Sequence, residues 1–214
     1  MTQTLVLYDT LSNLPGNNWS PNPAKPRFIL SYKGLPFVTV WVEYSDISVA
    51  MKAIGAKPNK RSDGTDVYPV PVLSDPNTGA LITDSLEIAS YLEKTYPEKA
   101  IFPNNSESLI RDPTSAKFFI GVRSIDVPLP WDATYGEDWA LLEKGYNTAY
   151  EWYQKTDGKW FMGDTFSYAD IIVACRLLWF KRVLKEDEWV RISSWHGGKW
   201  AQLLADVEKE CKLA

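Results

Sequence analysis

Tyr68-Pro69-Val70-Pro71-Val72-Leu73, a turn, Ala80-Leu81-Ile82-Thr83, then Asp84-Ser85-Leu86-Glu87-Ile88-Ala89-Ser90-Tyr91: this run reads as strand, turn, strand and helix. A proline within a strand removes a ladder donor, so Pro71 belongs at a sheet edge or a special turn. With a cis Val70–Pro71 bond the chain turns there and leaves the backbone N–H and C=O of Val70 free. Those two groups can grip an extended peptide as an added strand would. Asp84 and Ser85 then open a helix, where unpaired N–H groups favour an anion and the side chains can hold an amine or a carboxylate. Together these elements suit a small peptide with charged ends. A plainer reading of the same residues is an edge strand and an ordinary helix cap.

Working outward, Thr4-Leu5-Val6-Leu7-Tyr8-Asp9 is a short apolar run that reads as a first strand. Thr10 to Asn22 is rich in turn formers, and a helix follows through Arg27, Phe28, Ile29, Leu30 and Tyr32, stopped by Gly34 with Pro36 behind it. Pro26 disfavours a helical Lys25, which moves the expected helix start later than Pro23 suggests. Phe37 to Tyr44 alternates like a strand, Asp46 to Ile54 is a short helix, and Ala56 to Asp66 is a polar loop. The order strand, helix, strand, helix, strand, strand, helix is thioredoxin-like, and it defines a domain over residues 1–95. A linker over 96–105 leads to a domain over 106–214 in which every signal is helical. Expected there are a helix from Ser106 to Asp126, kinked at Pro113, an interruption at Val127–Trp131, and a helix from Glu137 to Thr156. A buried helix follows, capped by Ser167 with Asp170 reaching back and with Phe166 and Ile171 as a staple, and a last helix covers Trp200 to Lys212.

Composition narrows the function classes. The chain has 214 residues, 45% hydrophobic and 23% charged, with a net charge of −4 and no basic run, so no nucleic-acid footprint is visible. No apolar stretch approaches the ~20 residues of a membrane span, and the N-terminus lacks the pattern of a signal peptide. Cys175 and Cys211 are the two cysteines and His196 the one histidine, without metal-ligand spacing. The expectation is a reduced, cytoplasmic protein with no metal. Ten tryptophans are many for this length and suggest an aromatic-walled binding surface in addition to a core.

The Val-Pro-x-Leu strand, followed by an acidic residue and Ser at the next helix start, resembles the glutathione-binding half of the glutathione transferases. Gly163-Asp164-x-Phe166-Ser167-x-Ala169-Asp170 resembles the start of the central helix in that family's helical half, so the resemblance covers essentially the whole chain. It implies an α/β thioredoxin-like N-terminal domain plus an all-α C-terminal domain, glutathione as co-substrate and a homodimer. Val70, followed by Pro71, is then expected to pair with the cysteinyl backbone, and Asp84 and Ser85 to hold the γ-glutamyl end. A cation from the 56–66 loop, Lys57 or Lys60, is expected at the glycyl carboxylate.

Such a site has to keep a thiol ionised. A free thiol of pKa ~8.5 is only a few per cent thiolate at neutral pH, and lowering it by about two units needs roughly 2.7 kcal/mol. A hydroxyl and a helix N-terminus can supply that. Taking Arg27 as the counterpart of an arginine that many family members carry, Asn22-Pro23 falls where omega-like members have Cys-Pro, and Ser20 lies near the serine that zeta-like members use. Ser20 is therefore the expected thiolate donor, with Asn22 as helper, although both residue types also serve as caps and turn formers. The Asn17–Pro23 loop and Trp41-Val42-Glu43-Tyr44 look closest to the etherase-like transferases, the bacterial lignin β-etherases and their fungal relatives. That likeness implies attack on aromatic electrophiles or aryl ethers, with Trp19, Phe118, Phe119 and Trp131 as the aromatic wall. A non-catalytic carrier of phenolic ligands on the same fold stands as the alternative.

Overall fold

The computed structural model describes residues 2–111 and 135–213, which form two units, one of residues 1–100 with 208–214 and the other of residues 101–207. The expected helix beyond residue 111, its kink at Pro113, the interruption at Val127–Trp131, and Phe118, Phe119 and Trp131 themselves lie outside the described residues.

The first unit is α/β and thioredoxin-like. Strands β1 (Leu5–Thr10), β2 (Phe37–Val42), β5 (Val72–Asp75) and β6 (Ala80–Thr83) form a mixed sheet in the order β2-β1-β5-β6. β1 runs parallel to β2, with Leu5 opposite Phe37, and antiparallel to β5, with Leu7 opposite Leu73. One face of β1 buries Leu5 and Leu7, together with Phe28, Ile29 and Leu30 of α1 (Pro21–Lys33) and Ile88, Ala89 and Leu92 of α3 (Ser85–Thr95). A second cluster gathers Val42, Met51 and Val72, with Val70 and Tyr68 packed against it and Met51 supplied by α2 (Ile47–Ala53).

Three details of this unit differ from the sequence reading. β5 starts at Val72, after the proline, because an interior strand needs an N–H that Pro71 lacks. The expected polar loop contains a small hairpin, β3 (Asn59–Lys60) against β4 (Asp66–Val67), turned at Gly64 with φ +83°. α1 begins at Pro21, earlier than Pro26 suggested. Pro21 and Pro23 fall in the first turn, where no intrahelical N–H bond is required, so only Pro26 forfeits a bond, the one to the Asn22 carbonyl. Packing repays that loss, since Pro23, Ala24, Lys25, Pro26 and Phe28 are all buried. At the other end Gly34, with φ +70°, closes the helix as Leu35 N–H returns to the Leu30 carbonyl at 2.9 Å.

The second unit is helical: α4 (Glu107–Arg111), α5 (Tyr135–Tyr153), α6 (Tyr168–Val183) and α7 (Glu186–Glu210). α7 is broken at Trp195–Gly198, where His196, Gly197 and Gly198 take positive φ. Its first piece carries no strong pattern in the sequence. Asp170 does reach back to the Ser167 N–H, at 3.0 Å, and also accepts from Ser167 Oγ, Tyr153 Oη and the Phe161 N–H. The tryptophans Trp139, Trp160 and Trp200 are core residues of this unit, and Trp200 meets the Tyr146 ring edge-on at 4.8 Å. No helix among the described residues is long and apolar enough to cross a membrane.

Candidate functional site

Within the first unit the starts of α1 and α3 come together. Ser20 is the residue before α1, with extended backbone (φ −71°, ψ 130°), and its carbonyl accepts from Ala24 N–H at 3.2 Å. Its hydroxyl makes no capping bond. The local reason is plain: a cap usually bonds the second or third helical N–H, and the third residue here is Pro23. Trp19 beside it is half-buried, and its indole N–H and the Asn18 side-chain oxygen are buried without a protein partner.

Asn22, in the first turn, is exposed, but its Oδ1 accepts from Lys25 Nζ at 2.9 Å. Lys25 itself is only 6% exposed, and its ammonium also reaches Ser85 Oγ at 3.5 Å. Ser85 is the buried first residue of α3. Asp84 precedes it with φ 81° and ψ 136°, and its carboxylate accepts from Leu86 N–H at 2.8 Å and Glu87 N–H at 3.4 Å. Ser20, Asn22, Lys25, Asp84 and Ser85 thus belong to two helix starts linked by one buried cation.

Val70 stands ahead of the β5 ladder, whose registers with β1 and β6 begin at Val72, so no partner strand claims its peptide groups. The Val70–Pro71 bond is cis. Lys57 is exposed, while Lys60, at the β3–β4 hairpin, pairs with Asp66 on the opposite strand. The residues chosen for the aromatic wall in the helical half lie outside the described residues, which leaves Trp19 as the member the structure places.

Arg27, used above as the reference for reading α1, turns to the sheet. Its guanidinium pairs with Asp9 at 2.8 Å, donates to Thr39 Oγ1 at 2.9 Å and lies over the Trp41 ring at 4.9 Å. Burial pushes the Asp9 carboxyl above the usual carboxylate range, and the Arg27 hydrogen bond and charge pull it back part of the way. This ion pair holds the middle of α1 in place on β1 and β2, so its part in the site is support for the helix start that carries Ser20. Among the described residues no group of three or more His, Cys, Asp or Glu is placed to hold a metal ion. Both cysteines are buried thiols outside any disulfide, and burial, with Glu210 beside it, pushes the Cys211 thiol up to about 12, which removes it as a nucleophile.

Lys25, which contacts both Asn22 and Ser85, is the residue that the sequence reading passed over. The available signal was its spacing: three residues after Asn22, on one face of a helix, an ammonium can reach the amide. Reading the helix start too late concealed that relation.

Known proteins match this arrangement in both units. The family model for the glutathione S-transferase N-terminal domain matches residues 19–95, and the model for the C-terminal domain matches residues 101–209. The glutathione S-transferase-like protein ustS of Aspergillus flavus is 32% identical over 144 residues, which are 61% of this chain and 51% of that protein. The match therefore spans about half the length of that relative. A glutathione S-transferase of Ceriporiopsis subvermispora, solved in complex with glutathione, is 30% identical with a TM-score of 0.87, covering 98% of this chain and 100% of that one. A glutathione transferase of Phanerochaete chrysosporium is 31% identical with a TM-score of 0.82, covering 98% of each chain. Matched in both halves and in the order the two units follow, the chain belongs to the glutathione S-transferase family.

Proposed function

We propose that this protein binds glutathione across the starts of α1 and α3, ionises its thiol and delivers the sulfur to an aromatic electrophile or an aryl ether. The peptide groups of Val70 pair with the cysteinyl backbone. Asp84 and Ser85 hold the γ-glutamyl end, and Lys57 or Lys60 meets the glycyl carboxylate. Ser20 donates its hydroxyl to the thiolate, with Asn22 as a second donor and Trp19 as an apolar wall. In the reaction the sulfur forms a bond to carbon while the bond from that carbon to a halide or aryloxide breaks. The leaving group departs with the electron pair. The protein acts in the cytoplasm as a homodimer.

The observation that carries this reading is the Ser20 hydroxyl, which stands at a helix start and is not spent on capping it. A serine that only capped α1 would bond the helix backbone.

A Ser20→Ala variant tests the choice. Turnover with an aryl electrophile or a β-aryl ether should fall at least about tenfold, the scale of one lost charge-assisted hydrogen bond. Thermal stability and retention on a glutathione column should stay as in the parent. Undiminished turnover would show that another group faces the sulfur. A parent that turns over no electrophile or ether yet binds phenolics would be a carrier.

A further inference from the structure

Aromatic rings of α5 and α7 touch in series from the surface of the second unit into its core. Trp195, half-buried, lies 5.8 Å from Tyr146, centroid to centroid, and Tyr146 lies 4.8 Å from Trp200. Trp200 in turn meets the Tyr153 ring edge-on at 6.1 Å. Trp200 has no exposed surface and Tyr153 only 2%. Burial obliges the indole N–H and the phenol O–H to find acceptors, and buried side chains mostly find them on the backbone or in water. Both of these rings bond a side-chain base instead.

The Trp200 N–H donates to His196 Nδ1 at 3.0 Å, and the Tyr153 hydroxyl donates to Asp170 Oδ1 at 3.0 Å. Burial lowers the His196 pKa, which keeps Nδ1 free of a proton at neutral pH. It raises that of Asp170, which makes its carboxylate a stronger base than usual. Tyr146, between Trp195 and Trp200, has a buried hydroxyl with no partner, so its ring can pass an electron but has no way to release a proton. Lys199 Nζ stands 4.6 Å from the centre of the Tyr153 ring, and that cation disfavours a positive charge there. Tyr153 therefore gives up an electron only together with its proton.

We infer that the second unit contains a site of one-electron oxidation, in which Trp200 and Tyr153 quench a radical oxidant of the peroxyl class that meets the surface at Trp195 or at Tyr150, stacked on the His196 ring at 4.2 Å. The oxidant takes one electron and becomes its anion. Trp200 supplies that electron as its N–H proton passes to His196 Nδ1, which leaves a neutral indolyl radical and an imidazolium. An electron from Tyr153 then refills Trp200, which takes its proton back from His196, while the Tyr153 hydroxyl proton passes to Asp170. The products are a phenoxyl radical on Tyr153, screened from solvent, and a protonated Asp170. This activity is separate from the thiol chemistry proposed above and stands without it.

The test is pulse radiolysis with azide radicals, which oxidise tryptophan selectively, following the indolyl and tyrosyl absorption bands. The parent should convert indolyl to tyrosyl radical in a first-order step whose rate is unchanged on dilution of the protein. Tyr153→Phe should lose most of the tyrosyl yield. His196→Gly, which suits the positive φ at that position, should slow the conversion at least about tenfold, since a positioned base contributes ~10²–10⁴ to a proton transfer. That variant also carries the test should Tyr153→Phe not fold. Tyr96→Phe is the control. Its hydroxyl donates to the Asp75 carboxylate at 2.6 Å, but no ring contact joins it to a tryptophan among the described residues, so yield and rate should match the parent. A rate that scales with protein concentration, or an undiminished tyrosyl yield in Tyr153→Phe, would overturn the assignment. So would an unchanged rate in His196→Gly or loss of the signal in Tyr96→Phe.

Discussion

Asp84 holds its carboxylate on a backbone that few side chains accept, φ 81° and ψ 136°. A non-glycine residue there stores about 1–3 kcal/mol of strain. The carboxylate returns part of this through its bonds to Leu86 and Glu87 N–H. Two substitutions separate the terms. Asp84→Gly loses the cap but relaxes the backbone, so unfolding free energy should stay within about 1 kcal/mol of the parent in a urea titration. Asp84→Ala loses the cap and keeps the strain, and should be less stable by about 1–2 kcal/mol. If Asp84 holds the γ-glutamyl amine, both variants should lose glutathione affinity alike, at least about tenfold, although their stabilities differ. At this scale the local geometry was readable: the cis Val70–Pro71 bond and the helix start at Asp84-Ser85 are set by contiguous residues. The place of Lys25 was not, because its contact with Ser85 spans sixty positions. A lysine in a helix is read by default as solvated.

Elements were legible where periodicity or turn chemistry was strong, as at β1, β2, α3 and α6. They were misread where backbone chemistry and packing disagree, at α1 with its three prolines and at the two-residue strands of the hairpin. The loop entering α6 is held by a different device. Gly158 has φ +132°, and a Cβ there would lie 2.4 Å from the Gly163 carbonyl carbon and 2.5 Å from its oxygen. Gly158→Ala should therefore destabilise the protein by about 3 kcal/mol, read from urea unfolding. Gly64→Ala is the control: φ is +83° but no atom lies within 4 Å, so the cost should be near 1 kcal/mol. The same loop is anchored on Asp170, where burial pushes the carboxyl above its usual range despite the hydrogen bonds from Phe161, Ser167 and Tyr153. Asp170→Ala strands those donors in the interior and should cost at least about 3 kcal/mol, seen as a lower urea midpoint.

For the molecule as a whole, acid sensitivity has a traceable source in the single histidine. Trp200 N–H donates to His196 Nδ1 at 3.0 Å, so Nε2 carries the proton and faces Asn147 Oδ1 at 2.9 Å. Burial lowers the His196 pKa, with Glu143 pulling weakly the other way. The unfolded chain, with a histidine pKa near ~6.5, takes up a proton first on acidification. The contribution of His196 to stability is therefore complete above about pH 6.5 and declines as pH falls from there through the lowered folded value. Asp9 and Asp170, raised in the fold, change stability in the opposite direction on acidification. Denaturant midpoints between pH 7.5 and 5 should fall more steeply for the parent than for His196→Gln, and parallel profiles would count against the assignment.

The last seven residues, 208–214, belong to the same unit as residues 1–100. They bring with them Cys211, which has no exposed surface. A polypeptide ended at residue 100 would therefore lack one of its own buried pieces, and dividing the gene at the boundary between the two family models would yield an incomplete first fragment. Complementation by a synthetic peptide of the final segment would be the way to recover it.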